Sequence, residues 1–515
     1  MSNVSVILLK KNELPYSIDK FYQTIETIKN QTYSDIEIIV VESGEPELKG
    51  DFKHLYKNYS NRAEMINHAI KQSNSKYILL LLTDEVHIKL KNSAVECFLQ
   101  ALERDGATGL VYSDYDLIDS KNNINEIHLL DYHNGRLRDN IDFGKALFYR
   151  KLYIEEIGYL DESLKFGELY DLRLKLSENY KLKLISNKYN GSLYNIELYS
   201  DFQNISNVFD YLLADKEYQI EMEKILTEHL KRTNTYLPPD FNYHKISYTK
   251  KETENFKYIA SIIIPVNNRP EFIEMSLKSA LYQTVSNIEI IVVVNGGNND
   301  PTIDIVKDYM ENGKKYNPDL PPVKLIVHDI NNIGFCLNTG LKASQSKYYI
   351  QLDSDDRLKE DAVIKIVKEF EKDPYVGMVI GSYEVWEKLD NGDIIRNENI
   401  PVVTHDEWTY ENGRNNLLRI NGAGAPRAFH IKVIKEMGWF SLNDEPYSRN
   451  YGEDYDMVLK ISEKYKIARI WEPIYEVIRH KGGTDHSIDR ETIERNNNAK
   501  DYMRLEALNR RKKLM

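Results

Sequence analysis

The chain repeats itself. Residues 3–41, NVSVILLKKNELPYSIDKFYQTIETIKNQTYSDIEIIVV, run in step with residues 260–293, ASIIIPVNNRPEFIEMSLKSALYQTVSNIEIIVV; each copy holds an apolar strand, a helical stretch ending in Gln-Thr and the strand IEIIVV. Further on, SKYILLLLTDEV (75–86) is answered by SKYYIQLDSDDRL (346–358), and FGELYD (166–171) by YGEDYD (451–456). Self-similarity of this kind means one folding unit used twice. It also suits the length, because 515 residues exceed what one hydrophobic core organises. Ile- and Val-rich strands alternate with helical stretches of about 10 to 15 residues, the pattern of βαβ units. The predicted fold class is α/β, two tandem domains with mostly parallel sheets covered by helices.

The expected boundaries are a first domain over 1–195, a helical and extended connector over 196–257, a second domain over 258–488 and a closing polar helix over 489–515. The connector is set apart by TYLPPDFNYHKISYTKKETEN, polar, with Pro238-Pro239 and no apolar period. A net charge of -12 gives no general attraction to nucleic acid or an anionic membrane. The longest apolar run, Ile78 to Leu82, is far short of the roughly 20 residues of a bilayer span. MSNVSVILLKKNE lacks a secretory pattern, and the two cysteines need no disulfide framework, so a cytoplasmic protein is expected. The basic end, Arg510-Arg511-Lys512-Lys513, reads either as cations completing a helix C-terminus or as a dock for a partner or the inner membrane face.

Chemistry concentrates in the second copy. Asp353, Asp355 and Asp356 follow an apolar strand, where α/β sheets place ligands. Carboxylates so crowded repel unless a cation sits among them, and a hard divalent ion is the natural partner. An exposed acidic turn or helix N-cap is the alternative. Gly452-Glu453-Asp454 opens a helical stretch, so both acids also read as a first turn favourable to the helix dipole.

In order and spacing, SIIIPVNNRPEF, NIEIIVVVNGGNND, NNIGFCLNTGLKASQSKYYIQLDSDD and GEDYDMVLKI resemble glycosyltransferase family 2, strongly over 260–485 and weakly over 3–195. The resemblance implies GT-A folds in both domains and sugar transfer from a nucleotide-diphosphate donor, UDP-linked in first expectation. The acceptor would be a glycan, a lipid-linked glycan or a protein hydroxyl. The tandem arrangement resembles bacterial enzymes of surface glycan synthesis, and a homo-oligomer is compatible with it. It also implies Mn2+ or Mg2+ as cofactor, held by Asp355, Asp356 and His480, with Pro265, Asn295, Asn338, Asp353, Asp355 and Arg427 on the donor side. Asp454 corresponds to the family's general base, with Glu453 orienting it or the acceptor. Family members carry paired aspartates where this chain has Val294 and Asn295; an Asn side chain can still donate to and accept from a pyrimidine edge. No QxxRW sequence is present, so transfer of single residues is expected rather than processive synthesis.

The first copy departs at each of these places. Leu82 stands at Asp353, Asp84 at Asp355, Glu85 at Asp356, Leu169 at Asp454 and Glu42-Ser43 at the base-recognition pair; carried forward without gaps, Asn195 falls opposite His480. The first domain is therefore expected to keep the fold without catalysis, serving as acceptor-binding or scaffolding unit, or else to transfer a different sugar with a rearranged site. The competing class for the whole chain is a non-catalytic sugar-nucleotide or glycan-binding protein.

Overall fold

The computed structural model describes residues 3–11, 13–186, 191–197, 215–405, 409–420, 424–442, 451–480 and 490–515. It divides into two units: described residues up to Thr233 form the first and those from Asn234 the second.

In the first unit the strands are β1 (Val4–Lys10), β2 (Ile36–Ser43), β3 (Lys53–Lys57), β4 (Tyr77–Leu81), β5 (His87–Leu90), β6 (Thr108–Ser113), β7 (Tyr115–Ile118), β8 (Ile124–Ile127), β9 (Ala146–Arg150), β10 (Lys181–Ile185) and β11 (Tyr194–Glu197). The second unit holds β12 (Tyr258–Val266), β13 (Ile288–Val294), β14 (Val323–Val327), β15 (Ser346–Gln351), β16 (Arg357–Leu358), β17 (Val376–Lys388), β18 (Ile394–Arg396), β19 (Arg427–His430) and β20 (Lys466–Arg479). The main sheet of the first unit runs β10-β6-β9-β4-β1-β2-β3; the second repeats that order as β20-β17-β19-β15-β12-β13-β14. In both, the only antiparallel pairings along this path are made by the central strand β9 or β19. The α/β expectation holds, and so does the reading of one unit used twice.

The strands read as apolar runs because both faces are covered: all seven residues of β1 and of β13 are buried. The covering helices are amphipathic. Helix Ala362–Lys372 buries Ala362, Val363, Ile366, Val367 and Phe370, one stripe at helical spacing. Polar details are duplicated as well. Ser5 bonds Glu37, Ser73 and Ser75 in the first unit; Ser261 bonds Glu289, Ser344 and Ser346 in the second. One difference lies at the far ends of the strands. Unit 1 has a separate sheet β5-β11-β7-β8, whereas in unit 2 the long strands β17 and β20 run on through register shifts to carry β18 and β16.

The described residues of the stretch 196–257 are divided between the units. Helix Lys216–Arg232 belongs to the first, where Glu221 accepts the N–H groups of Phe166 and Gly167, each at 2.8 Å, and Glu178 pairs with His229 and Arg232. Residues from Asn234 join the second, with His244 donating to the Lys464 carbonyl and Ile246 to that of Pro374. Helix Arg490–Arg511 buries charged groups beside its apolar stripe of Ala499, Met503, Ala507 and Leu508: Arg504 pairs with Asp501 at 2.6 Å and lies over the Tyr455 ring, and Arg511 bonds Asn415 and the Arg414 carbonyl. Arg510 is paired with Glu463 at 2.8 Å, so of the basic cluster only Lys512 and Lys513 are exposed. Half the charge proposed for a membrane dock is thus spent inside the unit. Among the described residues no helix is long and apolar enough to cross a membrane.

Candidate active site

The acidic run leaves β15 at its carboxyl end, and β20 supplies its wall. Asp353 donates its N–H to the Tyr475 hydroxyl at 3.1 Å and accepts from the Gln351 amide. Asp355 meets His480, Oδ2 to Nε2 at 2.9 Å, and the imidazole lies 4.3 Å from the Phe272 ring centre. Asp356 turns inward, its Oδ1 accepting the Ile478 N–H at 2.8 Å. Burial pushes the Asp353 carboxyl up despite Arg427 nearby; Asp356 is pushed up much further, by burial and then by Asp355 and Asp353.

Glu453 and Asp454 begin helix Glu453–Lys464 directly after Gly452, whose φ of 93° is left-handed and whose missing Cβ leaves room for Met503. Asp454 is ion-paired with Arg427 of β19 and takes the Tyr455 N–H at 2.7 Å. Glu453 is buried, and burial together with the neighbouring Asp454 pushes its carboxyl up.

Asn295, expected on the donor side, is 6% exposed just past the end of β13. Its amide donates weakly to Asn331 at 3.3 Å, and its buried carbonyl oxygen has no hydrogen-bond partner among the described residues. Such an orphan acceptor costs free energy unless a ligand donor meets it. Pro265, near the end of β12, brings no N–H. In the first unit Leu9 stands there and is closed on Thr83 through both its N–H and its carbonyl.

Asn338 is placed otherwise than on a donor. Its amide is committed to both backbone groups of Phe440, and Asn67 makes the same clamp on Leu160 in the first unit. The clamp belongs to the fold.

Asp355 and His480 do converge, Asp356 lies beside them, and no group of three or more acidic, His or Cys side chains able to hold a metal ion is formed among the described residues. Two protein ligands still suit Mg2+ or Mn2+, which are commonly held by one or two side chains together with substrate phosphates.

The matching place in the first unit is filled by its own charges. Arg62 pairs with Glu85 and Glu168 and approaches Asp84 at 3.8 Å; Lys145 takes Glu85 at 2.6 Å and Lys11 takes Asp84 at 2.7 Å. Burial of Glu85 is outweighed by Lys145 and Arg62, which hold its carboxyl down at about 2. At the nucleotide end, buried Glu42 is paired with Lys10 and His54, both at 2.8 Å. Sheet register also corrects one pairing. Leu90 faces Tyr194 as Leu358 faces Tyr475, so Asn195 matches Glu476, and the counterpart of His480 falls at position 199, outside the described residues. The gapless alignment failed because Leu182 to Tyr194 spans twelve positions where Ile467 to Tyr475 spans eight.

Residues 261–433 match the family model described as Glycosyl transferase family 2. The chain carries a family 2 glycosyltransferase domain. Its reaction is glycosyl transfer, and Asp454 and His480 of this transferase lie beyond the matched residues. An uncharacterized glycosyltransferase of Rickettsia conorii is 25% identical over 94% of this chain and 80% of its own length. The chondroitin synthase of Escherichia coli is 28% identical over 47% of the transferase and 32% of its own length. Among solved structures, the S. aureus protein TarS (residues 1–349) in complex with UDP-GlcNAc aligns at TM-score 0.34 and 16% identity, covering 45% of this chain and 61% of that one.

Sequence reasoning missed two groups of residues here. Tyr475, which braces Asp353, sits in a strand that reads as ordinary sheet. Leu147 stands at the place of Arg427, a match visible only when Gly158-Tyr159 is set on Gly438-Trp439, each a left-handed pair.

Proposed function

We propose that the second unit is a metal-dependent inverting glycosyltransferase and that the first unit is its non-catalytic companion. One observation carries the reading: at equal places of equal sheets, the second unit gathers Asp353, Asp355, His480 and Asp454, while the first sets Leu82, Arg62 with Glu85, and Leu169.

The donor is a nucleotide-diphosphate sugar, UDP-linked in first choice because the buried Asn295 oxygen is free to accept the N–H of a pyrimidine edge. Asp355 and His480, with Asp356 adjacent, would hold Mn2+ or Mg2+; when bound, the ion neutralises charge growing on the departing diphosphate. Asp454 takes the proton of the acceptor hydroxyl as that oxygen attacks the anomeric carbon. The bond from that carbon to the diphosphate oxygen breaks on the opposite face, and configuration inverts. Glu453 is buried beside Asp454, and that burial disfavours a second negative charge there. The acceptor is the hydroxyl of a glycan, a lipid-linked glycan or a protein, and the site of action is cytoplasmic.

Screening the full chain with UDP- and GDP-sugars in Mn2+ tests this. One nucleotide class is expected to stabilise the chain, by about 2.7 kcal/mol at 100 times its dissociation constant, and to be turned over with release of nucleotide diphosphate. Binding without turnover of any sugar nucleotide, and unchanged by removal of the metal, would instead favour the non-catalytic binding protein.

A further inference from the structure

We propose that Arg427 is a positioning residue: it holds the base Asp454. The proposal rests on Asp454 being the base, as read above. Arg427 projects from β19, one position from the pairing of Ala428 with Ile350 of β15, and so stands beside the strand that delivers Asp353. Its Nη1 takes Asp454 Oδ2, while Asp454 Oδ1 takes the Tyr455 N–H at 2.7 Å. Both carboxylate oxygens are therefore anchored, which fixes the rotamer of a side chain that is still 26% exposed and open to an acceptor. The Arg427 side chain is 9% exposed.

The first unit supplies the internal control. Register places Leu147 at Arg427, because Leu79 faces Phe148 in β9 as Ile350 faces Ala428 in β19. Leu82 stands at Asp353 and Leu169 at Asp454. All three charges are leucines there, packed on one apolar cluster with Leu82 and Leu147 buried. Losing one member of a buried charge group leaves an uncompensated charge, whereas replacing the group together by apolar residues is tolerated. Three charges exchanged for three leucines is what a unit of linked function leaves behind once the function is dropped.

The test compares Arg427→Leu, Arg427→Lys, Asp454→Asn and the double variant Arg427→Leu/Asp454→Leu in the full chain. It uses turnover, UDP affinity with Mn2+ by calorimetry, and thermal unfolding. Arg427→Leu is expected to lose about 100-fold in kcat, with UDP affinity within roughly threefold of the parent, and Arg427→Lys to recover about tenfold of that loss. The double variant should unfold at a higher temperature than Arg427→Leu alone. Loss of UDP affinity with kcat preserved would overturn the proposal in favour of a diphosphate contact. Additive unfolding shifts would overturn the linkage to Asp454. Asp454→Asn with undiminished turnover would defeat the base assignment itself, and the unfolding comparison would still report whether the two residues are coupled.

Discussion

Asp454→Asn is expected to lower transfer by about 10²- to 10⁴-fold toward every donor and acceptor, the range that a lost general base commands. The substitution keeps shape and leaves an oxygen for the Tyr455 N–H, so the helix start after Gly452 should survive. It removes the negative charge opposite Arg427, and some loss of stability follows from that buried cation. UDP affinity in Mn2+ separates the two effects: it should stay near the parent value while kcat collapses. The first unit offers no relief, since Leu169 cannot accept a proton and Glu168 is paired with Arg62. Activity retained toward any acceptor would reject Asp454 as the one base serving all transfer by this chain.

Chelation by EDTA is expected to abolish turnover, and Mn2+ or Mg2+ to restore it. The departing diphosphate gains charge as the sugar leaves, and Lewis-acid neutralisation is worth several kcal/mol, which corresponds to about 10²-fold or more in rate. Only Asp355 and His480 among the described residues converge as ligands, so the remaining positions fall to the donor and water. The ion should bind weakly in the absence of nucleotide and exchange readily, which is why a chelator should reach it. His480→Ala should raise the Mn2+ concentration needed for half-maximal rate without preventing saturation. Turnover indifferent to EDTA would remove the metal from the account.

The sheets were legible because their strands are buried on both faces and so read as runs of Ile, Val and Leu, and because the duplication repeats IEIIVV and SKY at matching places. The acidic run, Asn295 and Asp454 stand out in the sequence as candidates for chemistry, since nothing in the local pattern requires them at those places. Other features depend on contacts that no local pattern encodes. Asn338, expected on the donor side, has its amide committed to the Phe440 backbone, as Asn67 has to that of Leu160, a contact that no local pattern shows. Arg510 and Arg511 look like a surface cluster, yet they turn inward because Glu463, Asn415 and the Arg414 carbonyl await them. The connector dissolves into the two units because Glu221 on one side and the backbone at His244 and Ile246 on the other find partners in them. The pairing of Asn195 with His480 failed on an insertion that only strand register reveals.

The most direct measurement of the division between the units is the stoichiometry of UDP binding in Mn2+, read by titration calorimetry on the full chain. Arg62, Lys145 and Lys11 already neutralise the acids of the first unit, and Lys10 and His54 occupy Glu42 at its nucleotide end. One equivalent of UDP per chain is predicted, lost on Asp355→Ala. Two equivalents, or one that survives Asp355→Ala, would contradict the assignment of donor binding to the second unit alone.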